Sequence, residues 1–154
     1  GKYLGSFASG LPATGLLFPL EVRQGEQKRV RTIQGINPER GSLIFTSEVP
    51  EGAYARLMKT NIEHLIDGAA QAAQTARQLL PLPPQTAILV SCVGRKMVLK
   101  QRTEEELEEV EHMLSPATEM TGFYSYGEIA PGILPTQSEL HNQTMTITVF
   151  AESD

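Results

Sequence analysis

The run Thr86-Ala87-Ile88-Leu89-Val90-Ser91-Cys92-Val93 constrains the fold more than any other segment. Six of its eight residues are apolar, and it follows Pro81-Leu82-Pro83-Pro84, a stretch no helix interior tolerates. A continuous apolar run of that length reads as a central strand, buried on both faces. Such a strand needs a neighbour on each side and a covering layer, so sheet and helices must be assembled around it.

The covering helices are legible on either side. Thr60 and Glu63 match a capping box, in which each side chain satisfies a backbone N–H of the first turn. Ile62, Leu65, Ile66, Ala69, Ala70 and Ala73 then recur at helical spacing, and the alanines suit close packing on a sheet. After a turn near Gly94, Thr103 and Glu106 repeat the capping pattern. Leu107, Val110, Met113 and Leu114 give that second helix its buried stripe, and Pro116 closes it.

The first half reads as a meander of short antiparallel strands. Segment 1–15 is rich in Gly, Ser and Pro and reads as an entry loop, leaving 16–154 as the domain proper. Strands are expected over Leu16–Val22 and Arg29–Ile36, joined through the turn Gln24-Gly25-Glu26. Two more follow at Ser42–Val49 and Ala53–Met58. Beyond the helices, Thr118–Ile129 is a glycine-broken strand and Ala130–Glu139 a Pro/Gly loop. In Gln143–Ala151, Met145, Ile147 and Val149 alternate with Thr144, Thr146 and Thr148. The expected class is therefore α/β (α+β mixed): a single mixed, largely antiparallel sheet with two main helices packed on it.

Bulk properties narrow the function. The chain has 154 residues and a net charge of −5, which gives no basic footprint for nucleic acid. Six acids between Glu104 and Glu111 account for most of the excess and read as a solvated helix face. Cys92 is the only cysteine, so no internal disulfide can form and nothing suggests secretion. No apolar run approaches the roughly 20 residues that cross a bilayer, and the N-terminus lacks a signal-peptide pattern. A cytoplasmic location is expected, without membrane insertion. The start at Gly1, without Met, fits a piece of a longer protein.

Three segments place polar side chains beside glycine or at strand ends: Ser91-Cys92-Val93-Gly94-Arg95, Tyr126-Gly127-Glu128 and Leu140-His141-Asn142-Gln143. If the strands that carry them are neighbours, the three meet at one rim. Arg95 and Glu128 could then hold a zwitterion, the guanidinium taking a carboxylate and the carboxylate an ammonium. His141, Asn142 and Gln143 would add directional hydrogen bonds. Alternatively, Arg95 and Glu128 pair with each other and tie loops together. The candidate ligand-binding set is Ser91, Cys92, Arg95, Tyr126, Glu128, His141, Asn142 and Gln143, with no catalytic or metal-binding residues.

Cys92-Val93-Gly94-Arg95, Gly122-Phe123-Tyr124-Ser125-Tyr126-Gly127-Glu128-Ile129-Ala130-Pro131 and Leu140-His141-Asn142-Gln143-Thr144-Met145-Thr146-Ile147-Thr148, in this order, resemble the C-terminal FIST domain. The resemblance extends over nearly the whole chain, since Asn37-Pro38 through Met58 fits the leading strands. It implies a non-catalytic sensory or regulatory domain of a signal-transduction protein, binding a small ligand such as an amino acid. It also implies an N-terminal FIST domain as partner in the full-length protein, and an uncovered face on this fragment would favour self-association.

Rival readings are a protein-interaction module with no small ligand, a haem-based gas sensor, and a thiol hydrolase with Cys92 as nucleophile, His141 as base and Asn142 as orienter. Cys92 ends a hydrophobic strand, a poor setting for a reactive thiol. Haem has no CxxCH motif, no Trp and only nine aromatic residues to line a pocket. With one Cys and three His in no paired spacing, no zinc site is expected.

Overall fold

The structure, a computed structural model, describes residues 3–25, 27–131 and 138–152. It is α/β and divides into two units, Gly1–Thr60 with Ala130–Asn142, and Asn61–Ile129 with Gln143–Asp154. The single sheet with two helices is not what forms. Four small sheets and three α-helices are present among the described residues.

In the first unit, short 3-10 turns occupy Gly5–Gly10 and Ala13–Leu17. The expected strand from Leu16 therefore starts only at β1 (Leu20–Gln24), just past Pro19. β1 pairs antiparallel with β2 (Gln27–Arg31) on one side and with β5 (Tyr54–Leu57) on the other. The expected strand 29–36 is split after Arg31. Its second part, β3 (Ile33–Asn37), leaves that sheet to pair with β4 (Ser42–Phe45) through a register shift between Ile33 and Gly35. The antiparallel meander is thus borne out as strands but distributed over two sheets. The turn at 24–26 and the loop at 130–139 are described only in part, because Glu26 and residues 132–137 lie outside the described residues. The ends of that loop are extended, in β8 (Glu128–Pro131) and β9 (Ser138–His141).

The second unit holds the apolar run. β6 (Thr86–Cys92) is the central strand of a three-stranded sheet, between β10 (Met145–Phe150) and β7 (Glu119–Ser125). β10 runs antiparallel to it and β7 parallel. Ala87, Leu89 and Met145 meet Ala69 and Ala73 of α1 (Ile62–Gln78) and Val110 and Leu114 of α3 (Thr103–Leu114), forming the core. The alanines let α1 approach closely, as their spacing suggested. Gly122 lies opposite Leu89, and a Cβ there would stand 2.0 Å from the Leu89 carbonyl oxygen, so no side chain fits.

Both capping boxes are corrected by the structure. Asn61 caps α1, its side chain accepting from the Glu63 N–H, while the Thr60 hydroxyl donates to the Leu16 carbonyl. α3 has no side-chain cap: the Thr103 hydroxyl donates backward to Lys100, and Glu106 turns into the interior. In place of a turn near Gly94 the chain forms a third, short helix, α2 (Val93–Leu99). It ends at Lys100, whose φ of 54° and ψ of −114° suit glycine better than lysine.

Candidate functional site

The strand order β10-β6-β7 brings together the three strand ends that the sequence suggested as neighbours. Register sets Ser91 between Met145 of β10 and Tyr124 of β7, and Cys92 beside Ser125. The Cys92 N–H donates to the Thr144 carbonyl at 3.0 Å, which fixes the segment leading into β10 against the end of β6. The chain turns into α2 directly after Cys92, so Arg95 is held one helical turn beyond the rim.

Arg95 is 5 % exposed and makes four hydrogen bonds, to α3, to α1 and to the segment leading into β10. Its Nε and Nη2 donate to the same oxygen of Glu106, Oε1, on α3. Nη2 also donates to the Leu65 carbonyl of α1 at 2.7 Å, and Nη1 to the Gln143 carbonyl at 3.3 Å. The carboxylate that Arg95 meets is therefore Glu106 rather than Glu128, and the pair lies in the interior of the second unit. Glu128, also buried, instead accepts the Ser125 hydroxyl at 2.5 Å and the Thr144 hydroxyl at 2.8 Å. Those two bonds lock the β7 bend and the approach to β10.

The remaining candidates have separate settings. Tyr126 is 84 % exposed, and Gln143 is buried with a left-handed backbone at φ 55°. His141 and Asn142 belong to the first unit. There Asn142 Oδ1 accepts from the Thr46 hydroxyl at 2.8 Å and the Ser47 hydroxyl at 3.4 Å, so it is occupied in bracing β4 and the segment after it. Cys92 is buried, and burial pushes its thiol pKa up against the opposing pull of the Gly94, Gln143 and Arg95 backbone N–H groups. A raised pKa disfavours the thiolate, which is the nucleophilic form.

A cleft of about 280 Å3 opens in the second unit, lined by Leu89, Ser91, Leu107, Met120, Gly122 and Met145, with Phe123 and Tyr124 also contributing. That volume sits at the small end of ligand pockets. Leu89 and Ser91 of β6, Met145 of β10 and Leu107 of α3 line it together with a continuous stretch of β7 that includes Thr121. One polar group stands out in it. Ser91 is 5 % exposed, and its Oγ has no hydrogen-bond partner among the described residues. Glu106, next to Leu107 in the chain, is fully buried, and its Oε2 is likewise without a partner there. Burial raises the Tyr124 pKa, and the Glu106 charge adds to the rise. Lys96 Nζ stands 4.4 Å from the centroid of the Tyr124 ring.

Of the residues lining the cleft, only Ser91 belongs to the candidate set read from the sequence. Glu106 was readable in part, since Glu106, Val110 and Leu114 recur every four residues and put an acid on the buried stripe. Tyr124 and Met120 carried no such signal, because their side of the strand depends on the parallel register.

The family model for the FIST C domain matches residues 1–131. The chain belongs to this family of sensory domains. Nothing among curated proteins or solved structures matches it. The FIST C match covers β6, α2 and β7 and stops before β9 and β10, so the Leu140–Thr148 motif lies beyond it. Among the described residues no three His, Cys, Asp or Glu side chains gather as a metal site, and no helix is long and apolar enough to cross a membrane. Haem has no fit in the cleft: no histidine lines it, and His64 and His112 are exposed on helix surfaces.

Proposed function

We propose that this FIST C domain senses a small, amino-acid-like molecule held in the cleft of the second unit, and that it catalyses no reaction. The observation that carries this reading is Ser91, a buried hydroxyl without a partner among the described residues, in a cleft whose walls are mainly apolar. A buried polar group left unpaired costs about 1–3 kcal/mol, and a ligand that satisfies it recovers that cost. Apolar walls with a few convergent polar groups are the usual make-up of a small-molecule site. The raised Cys92 pKa and the engagement of Asn142 by two hydroxyls both weigh against the thiol-hydrolase alternative. In the cell the domain would act in the cytoplasm, in the full-length protein beside an N-terminal FIST domain.

The competing reading is a protein-interaction module, with self-association as one form. It is favoured by Phe123 (62 % exposed), Tyr126 and Ile129 on the edge strand β7 and just after it. A thermal-shift screen of the twenty amino acids separates the two. A ligand at 100 times its Kd adds about 2.7 kcal/mol of apparent stability, and that shift should shrink in Ser91→Ala. No shift with any amino acid, together with concentration-dependent dimerisation lost in Phe123→Ser, would favour the interaction module.

A further inference from the structure

We infer that the first unit binds an extended peptide segment of a partner protein, added as a strand along the free edge of β5, with apolar and acidic side chains in alternation. The residues that form this slot all belong to the first unit, so peptide binding is a further activity, independent of the cleft in the second.

β1 pairs with one side of β5, and no described strand pairs with the other. The ladder fixes which backbone groups are left over. Met58 donates its N–H to the Pro19 carbonyl at 2.9 Å, and in an antiparallel pair such hydrogen-bonded partners recur at every second residue. Glu21 with Arg56 and Arg23 with Tyr54 are therefore the bonded pairs. Ala55 and Leu57 point their N–H and C=O groups the other way, to the free edge. A groove of about 640 Å3 touches all four residues of β5, each of them exposed. Neighbours along a strand face opposite sides of the sheet, so a groove that meets all four runs along the edge rather than across one face. Ile33 of β3 and Leu43 and Phe45 of β4 line it as well. Strand addition uses this combination, with backbone groups for affinity and apolar places for alternate side chains.

Charge selects the partner. Glu21 serves two guanidinium groups, accepting from Arg23 at 2.6 Å and from Arg56 at 3.0 Å, which leaves the three with a net positive charge. Among the described residues, Arg56 is the one charged side chain that lines the groove. On a strand added beside β5, side chains on the Arg56 face meet this charge, and those on the opposite face meet Leu57 and its register partner Leu20. Acidic residues suit the first face and apolar residues the second. A second copy of this chain suits less well. Pairing β5 with itself so that Ala55 meets Leu57 sets Arg56 against Arg56, a destabilising like pair.

Fluorescein-labelled peptides test this on the whole chain by anisotropy: Thr-Val-Glu-Val-Glu-Val-Thr and its counterpart Thr-Val-Lys-Val-Lys-Val-Thr. The glutamate peptide should bind saturably, and the lysine peptide at least about fivefold more weakly. Arg56→Gln should bring the two within about twofold of each other. Ala55→Pro should leave the urea midpoint unchanged, because the N–H it removes faces outward, and weaken the glutamate peptide at least about tenfold. Methylating alternate backbone nitrogens of the peptide gives the same test on an unaltered protein. One alternate set should cost at least about tenfold in affinity and the other less than about twofold, since only every second N–H of an added strand faces β5. No saturable binding of either peptide, equal costs from the two methylated sets, or undiminished binding to a folded Ala55→Pro would overturn the inference. Concentration-dependent dimerisation that is lost in Ala55→Pro, with no peptide bound, would overturn it in favour of a second copy.

Discussion

Replacing Arg95 with Met should be far more damaging alone than together with a matching change at Glu106. The single substitution leaves the fully buried Glu106 carboxylate without its cation and removes the donor for the Leu65 and Gln143 carbonyls. Breaking one side of a buried ion pair costs about 3–5 kcal/mol, and Glu106→Leu should cost about as much by stranding the guanidinium. In the double variant the stranded charges vanish together. What remains is the loss at two carbonyls, about 1–3 kcal/mol. The two singles should therefore sum to at least about 3 kcal/mol more than the double. Urea unfolding followed by far-ultraviolet circular dichroism on all four proteins measures this. The whole stability of a domain this size is about 5–15 kcal/mol, so a single variant that is unfolded without denaturant while the double folds is the same result. Additive costs, or an Arg95→Met cost below about 1 kcal/mol, would refute the buried tie between α1, α2, α3 and the segment that leads into β10.

Lys100→Gly should raise stability by about 1 kcal/mol, because it relieves a positive-φ backbone at an exposed site; an unchanged midpoint in urea would contradict this. Gly122→Ala should destabilise the second unit by more than about 3 kcal/mol, since its Cβ collides with the Leu89 carbonyl and the strands must part. Cys92 should react slowly with iodoacetamide at pH 8 and rapidly in denaturant, since the thiol is buried and its pKa raised. On acidification, stability should fall through Glu21 and Glu139, both held below the ordinary glutamate value of 4.5 chiefly by their hydrogen bonds to Arg23 and Arg29. Their contribution is complete above the unfolded value and is lost as pH falls through the folded ones, so the urea midpoint should drop from pH 5 to pH 3 and drop less in Glu139→Gln.

What could be read in advance was whatever depends on periodicity. The central position of β6, the neighbours on both its sides, the apolar face of β10 and the alanine face of α1 all follow from spacing along a single segment. The division into several sheets does not. It depends on Thr32, where β2 gives way to β3, and on the register shift next to it, and neither has a strong local signature. The capping boxes misled for a similar reason. Thr60 and Asn61 are both good caps, and the competition was settled by the Leu16 carbonyl, which is remote in sequence. Glu106 matched a first-turn pattern while also standing on the buried stripe, and pairing with Arg95 decided in favour of the stripe. Ser91 was legible as a rim residue, but its lack of a partner is a property of the packed structure alone.

Where a ligand binds decides whether this domain is a small-molecule sensor. Backbone amide spectra of the nitrogen-15-labelled chain, titrated with L-phenylalanine, L-leucine and L-methionine, test that directly. The sensory reading expects saturable shifts for at least one of them at Ser91, Leu107, Gly122, Tyr124 and Met145, with the first unit largely unmoved. Shifts confined to residues of the first unit, or no saturable shift with any of the three, would contradict it.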